Sequence, residues 1–110
     1  MSNSNQAQIV ELDELTFEKG DIEGVMTSLL DFDPCEAKVV FYKAGTNVPR
    51  HKHSGQTLTV VLKGRCEGPE GRDLVSGMLY KCGGAQYGPW LVYEDTYFLI
   101  IQKAGTKFIQ

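Results

Sequence analysis

The chain has 110 residues, enough for one domain built on a single hydrophobic core and too few for two. Lysine and arginine number 11 against 14 aspartates and glutamates, with no block of like charge, so nothing in the composition favours nucleic acid as a partner. The longest uncharged apolar runs, such as Phe98-Leu99-Ile100-Ile101, have the length of strands, so no membrane-spanning helix is expected.

The opening residues, Met1 to Gln8, are polar and lack the basic end and apolar block of a secretory signal. They are expected to form a short disordered tip (residues 1–8) ahead of one domain (residues 9–110) in a cytoplasmic protein. Glu11 to Phe17 is the one segment with helical character, and it is too short and poorly capped to change the fold class. Strand signals dominate the rest. Clusters of β-branched and aromatic residues recur at Gly24–Leu30, Ala37–Tyr42, Leu58–Leu62, Met78–Tyr80 and Thr96–Ile101. Between them lie turn clusters at Asp31–Pro34, Lys43–Gly45, Gly68–Arg72 and Gly83–Gly84. Short strands at regular spacing, with no long segment of helical period, predict an antiparallel barrel or sandwich.

In the strand that begins at Thr57, the residues Thr57, Thr59 and Val61 share one face, and Leu58, Val60 and Leu62 share the other. Both faces are largely apolar, which predicts burial on both sides: one toward the interior, the other against a second sheet or a second subunit. The cysteines Cys35, Cys66 and Cys82 are odd in number and widely spaced, which argues against a disulfide framework or a Cys-x-x-Cys motif. They are expected to be reduced and largely buried, although Cys82, beside Gly83 and Gly84, has the setting of a reactive thiol as a second reading.

His51 and His53 are the only histidines in the chain. In extended backbone, residues i and i+2 project from the same face, so both imidazoles can reach one metal ion, while Arg50 and Lys52 point the other way. Neutral imidazole is a common metal ligand, but two exposed histidines at the start of a strand would give the same pattern. Spacing alone leaves both readings open.

The wider pattern is Gly45, five residues, His51-x-His53, three residues, Thr57, six residues, Gly64. This resembles the first motif of the cupin superfamily, which has glycine, His-x-His, glutamate and glycine at these intervals. The stretch Leu74 to Pro89, with Gly77 and then Gly83-Gly84-Ala85-Gln86-Tyr87-Gly88-Pro89, is similar to the second cupin motif, and Cys35 to Gly45 resembles the strand and loop that precede the first. The likeness covers roughly residues 24 to 109. Val48-Pro49-Arg50-His51-Lys52-His53-Ser54-Gly55 is similar to a stretch found in the cupin domains of zinc-dependent anti-sigma factors and in the acetylacetone or dihydroxyacetophenone dioxygenase-like cupins.

The resemblance implies an all-β, antiparallel double-stranded β-helix (jelly-roll) cupin barrel, a divalent metal ion (iron, nickel, manganese or zinc) in its mouth, a small-molecule ligand and a homodimer. It also implies four protein ligands, of which this chain keeps His51 and His53. Thr57 stands where the family has its glutamate, and Tyr87 stands where it has its third histidine. Thr57 is a poor ligand, and a neutral phenol is a weak one for zinc or ferrous iron. Gln56 and Gln86 are close enough in sequence to lend a carbonyl oxygen, so Gln56 joins His51 and His53 in the candidate metal set. Glu94 and Asp95 are further candidates whose other reading is exposed turn residues. Tyr87 is assigned as a proton donor or a partner to the ligands, against the reading of a buried aromatic with one hydroxyl partner.

Trp90, Tyr93, Tyr97 and Phe98 are suited to an apolar pocket wall or to plain core, and Lys63 and Arg65 flank a turn glycine, where solvation is expected. Two function classes follow. One is a small metal-dependent dioxygenase, isomerase or lyase acting on a small polar organic molecule. The other is a cupin with a degraded metal site that serves as a ligand-binding, sensor or dimerisation module without catalysis.

Overall fold

The computed structural model describes residues 7–68, 71–83 and 88–109, so residues 1–6 of the expected disordered tip lie outside the described residues. The strands among the described residues are, in chain order, β1 (Glu18–Lys19), β2 (Val25–Leu30), β3 (Cys35–Tyr42), β4 (Asn47–Val48), β5 (Lys52–His53), β6 (Thr57–Lys63), β7 (Arg65–Glu67), β8 (Asp73–Val75), β9 (Leu79–Cys82), β10 (Trp90–Leu91), β11 (Thr96–Lys103) and β12 (Phe108–Ile109). Of the helical character anticipated at Glu11–Phe17, one 3-10 turn at Leu12–Glu14 forms. Too few residues are available there for a helix to outweigh its nucleation cost. Among the described residues no helix is long and apolar enough to cross a membrane.

One antiparallel sheet of six strands runs in the order β1-β2-β3-β11-β6-β9. Facing it are the antiparallel pairs β4–β10, β5–β12 and β7–β8, with a bridge between Cys66 and Val92 beside them. Val48, Cys66, Leu74 and Trp90 from the short pairs pack into one cluster with Val25, Val40, Val61, Phe98 and Ile100 from the large sheet. This two-layer, all-β arrangement is the expected double-stranded β-helix. Its core carries an aromatic cluster in which Phe98 meets Tyr42 at 5.2 Å and Trp90 at 6.1 Å between ring centroids. Edge-to-face rings at such distances add to the stabilisation from burial alone.

Side-chain alternation sets which groups enter the interior. In β11, Thr96, Phe98, Ile100 and Gln102 are buried, while Tyr97, Leu99 and Ile101 are half-buried on the other face. In β6, Thr57, Thr59 and Val61 are buried as anticipated, but Leu58 and Leu62 on the opposite face are 37% and 38% exposed. The expectation of burial on both sides is therefore not met within one chain. The second layer packs on the inner face, and among the described residues no second sheet covers the outer one.

The chain turns from β6 into β7 at Gly64, whose φ is +102°. A Cβ there would collide with the backbone oxygen of Asp95 and lie 2.6 Å from Cα of Thr96. Glycine meets both demands, for left-handed backbone and for close approach. Thr96, fully buried, binds the same turn: its Oγ1 accepts from the Arg65 N–H at 3.0 Å and donates to the Glu94 carbonyl at 2.7 Å.

Candidate functional site

The segment from β4 to β6 is held at both ends. Val48 of β4, fully buried, pairs with Trp90 of β10, and His53 of β5 pairs with Phe108 of β12. Between these anchors His51 and His53 turn inward and are only 2% and 8% exposed, so the reading of two exposed histidines at a strand start does not hold. Their ring centroids lie 5.3 Å apart. Both line an interior cavity of about 280 Å³, together with Lys38, Tyr42, Thr59, Tyr80, Trp90 and other residues of the large sheet. A larger open groove of about 600 Å³ lies between the β5–β6 connection and the β11–β12 turn, and neither histidine lines it. The histidine pair therefore faces the smaller, more enclosed space.

Burial holds both imidazoles in the neutral form. His51 is lowered from the ordinary histidine value by desolvation, partly opposed by its hydrogen bond to the Pro49 carbonyl. His53 is pushed down to about 4 by desolvation first, then by the nearby His51 and the Lys38 ammonium. Nδ1 of His51 lies 2.8 Å from the Pro49 carbonyl oxygen. A carbonyl only accepts, so Nδ1 carries the hydrogen and Nε2 is the basic nitrogen. Backbone support of this kind fixes the ring orientation of ligating histidines. Tyr42 is half-buried and its phenol is raised well above its ordinary value, by desolvation first, so it is a hydrogen-bond donor and not a base.

Phe108 stacks on His51 with centroids 4.5 Å apart and planes 26° apart, and meets His53 edge-on at 5.9 Å. It forms part of the cavity wall. Sequence reasoning missed this residue. Its only signal was an apolar pair, Phe108-Ile109, following the turn glycine Gly105. Lys38 and Tyr42 were also missed as site residues, although alternation along β3 places them on the inner face with Val40.

The other candidates divide clearly. Gln56 is exposed and lines the open groove, so the structure does not bring it to the cavity that holds His51 and His53. Tyr87 and Gln86 lie outside the described residues. Thr57 is 2% exposed, its Oγ1 has no hydrogen-bond partner among the described residues, and it lines the groove. Glu94 and Asp95 are exposed turn residues, and Asp95 accepts a hydrogen bond from the Ala44 N–H at 2.9 Å. Trp90 and Phe98 do line the cavity. Tyr93 is 40% exposed under the Arg65 guanidinium, and Tyr97 meets Phe17 edge-on and Phe41 at a tilt on the outer face. Arg65 is solvated and paired with Asp73 at 2.8 Å. No disulfide joins the cysteines. Cys66 and Cys82 are buried, Cys35 half-buried, and burial pushes the Cys66 thiol up to about 12, which makes it inert.

Among the described residues no group of three or more His, Cys, Asp and Glu side chains converges as a metal site. Two neutral imidazoles on one wall of a cavity fit a labile divalent ion with open positions, and they do not fit a closed structural zinc centre with its four protein ligands.

No protein-family model matches the sequence, and no curated protein matches it. Solved structures do. An acetylacetone dioxygenase from Acinetobacter johnsonii superposes with a TM-score of 0.74 at 16% identity, over 100% of this chain and 81% of that one. An RmlC-like cupin protein from Ralstonia eutropha JMP134 gives 0.68 at 14% identity, over 96% of this chain and 73% of the other. The Rhodobacter sphaeroides complex of SigE with the anti-sigma ChrR contains a chain matched with a TM-score of 0.71 at 21% identity, over 84% of this chain and 51% of that one. At such identities the likeness speaks for the fold.

Proposed function

We propose that this chain, whose fold is that of the cupins, binds a small polar organic molecule in its interior cavity beside a labile divalent ion held by His51 and His53. One observation supports this most directly: both imidazoles are buried, neutral and turned into the same cavity of about 280 Å³. The ion, whether iron, nickel, manganese or zinc, would supply Lewis-acid polarisation of a chelating oxygen and, where redox-active, access to oxygen chemistry. The protein contributes the rest. The Pro49 carbonyl orients His51, Phe108 excludes water from the pair, and Trp90 and Phe98 give the ligand an apolar wall.

The reaction classes in keeping with this site are dioxygenation, isomerisation and lyase chemistry, with Tyr87 as proton donor on the strength of its place in the second motif and Gln56 as an added oxygen ligand only if its loop folds inward. In this reading the protein works in the cytoplasm as a homodimer. The half-exposed outer face of β6 and β11 supports the dimer.

A second reading, a ligand-binding or sensor module without metal or catalysis, is favoured by Thr57 at the family's glutamate position and by the Phe108 ring stacked against His51. Elemental analysis of untagged protein separates the two, beside a His51→Ala, His53→Ala double variant. Near-stoichiometric metal that vanishes in the variant supports the first reading, and the element found chooses between oxygen and Lewis-acid chemistry. Failure of the wild type to take up iron, nickel, manganese or zinc after incubation would overturn it in favour of the module.

A further inference from the structure

We infer that the ligand of this cavity is an anion, a small oxo- or hydroxycarboxylate, whose carboxylate is held by Lys38. The inference rests on the cavity reading above and adds a chemical class to it. Lys38 sits at the middle of β3, flanked by Leu29 of β2 and Ile100 of β11, and is half-buried on the inner face. A lysine at the centre of a sheet ordinarily reaches solvent or a carboxylate, because an isolated ammonium is costly to desolvate. Among the described residues no ion pair involves Lys38. It lines the same cavity as His51 and His53.

The charge inventory of the lining agrees. Among the described lining residues the cations Lys19 and Lys38 outnumber the single carboxylate, Asp21, and Lys19 and Asp21 are exposed at the cavity mouth. Trp90, another lining residue, has a buried indole N–H with no acceptor among the described residues. The Lys38 ammonium and the Trp90 indole are thus two donors among the described lining residues that a ligand with acceptor oxygens would complement. A cavity of about 280 Å³ lies at the small end of ligand sites, in keeping with a short-chain acid. A carboxylate on Lys38 would leave a second oxygen of the same molecule toward His51 and His53. Charge on the ligand, and not chelation alone, then sets selectivity.

The test compares acetoacetate with pentane-2,4-dione, in which a methyl group replaces one carboxylate oxygen, using ligand-observed NMR or calorimetry on the full, untagged, chelator-treated protein. Wild type is expected to bind acetoacetate at least about tenfold more tightly than the dione. Lys38→Met, close in volume, is expected to lose that preference while keeping its affinity for the dione within about twofold, and Lys38→Arg is expected to retain it. Equal binding of the two probes by wild type, no binding of acetoacetate, or an undiminished preference in Lys38→Met would overturn the inference. The wild-type comparison does not depend on any variant folding. Because these measurements are made without metal, and the elemental analysis without ligand, failure of one proposal is distinguishable from failure of the other.

Discussion

The ring of Phe108 lies nearly parallel to that of His51, 26° from coplanar and 4.5 Å from centroid to centroid. A strand of two residues, β12, places it there by pairing Phe108 with His53 and Ile109 with Lys52. The aromatic ring removes water from one face of the histidine pair, and desolvation is the largest cause of the lowered affinity of both rings for protons.

Replacing Phe108 by alanine is therefore expected to raise the pKa of both histidines toward the ordinary 6.5, read by NMR titration of the ring protons. The stability cost is about 1–2 kcal/mol, below the 3–5 typical of a fully buried phenylalanine, because Phe108 is half-buried. Unchanged titration in a folded Phe108→Ala protein would show that other walls keep the pair dry.

Stability should fall on acidification below neutrality. In the unfolded chain His53 takes up a proton near its ordinary 6.5, whereas in the folded chain it does so only near 4. The unfolded state thus binds more protons between about pH 6.5 and 4, and stability is lost as pH drops through that window, by roughly 1–2 kcal/mol after allowance for solvent screening. Thermal melts across the window should show a shallower slope for His53→Gln than for wild type. Parallel slopes would assign the acid sensitivity to carboxylates elsewhere.

Thr57→Glu restores the carboxylate of the cupin motif at a position that is 2% exposed. The buried, unpaired charge is expected to lower the melting temperature of the metal-free protein by several degrees, and added nickel, manganese or zinc should restore it and bind at least about tenfold more tightly than to wild type. Equal metal affinity in the two proteins would mean that residue 57 does not reach the ion.

Gly64→Ala should destabilise by about 3 kcal/mol or more, since it combines a φ of +102° with a clash against the Asp95–Thr96 backbone. Denaturant unfolding measures it. Gly77→Ala makes a useful control: it shares a positive φ of +90°, but no atom would lie within 4 Å of its Cβ, so a distinctly smaller cost is expected.

Sedimentation should find the wild type dimeric and the Leu58→Lys, Leu62→Lys variant monomeric. Both leucines lie on the outer face of β6, beside β9, where Leu79 is 60% exposed opposite Val60. A monomeric wild type would leave this apolar face without its proposed occupant.

Much of this architecture was legible in the sequence. The strands β2, β3, β6 and β11 are long enough for β-branched clusters to show, and the motif spacing around His51 and His53 located the cavity-facing pair. The partners β4, β5, β10 and β12 have two residues each, too few for any periodicity to declare them. For that reason the wall they build, Phe108 above all, was not foreseen. Lys38 reads in sequence as an ordinary polar residue in a strand, and only its neighbours Val40 and Tyr42 on the same inner face reveal that it points inward. Gln56 is near the histidines along the chain, but the turn before β6 directs it toward solvent.

Strand β11, residues 96–103, lies between β3 and β6 and pairs with both along most of its length. During synthesis the first 95 residues therefore emerge as two separate partial sheets, each with an open edge waiting for the same late strand. Closure must bring together segments far apart in the chain, which makes for slow folding and a period of exposure to edge-to-edge association. The segment that completes the sheet is followed directly by the one that carries Phe108, so the ring that stacks on His51 is among the later parts of the cavity wall to be synthesised.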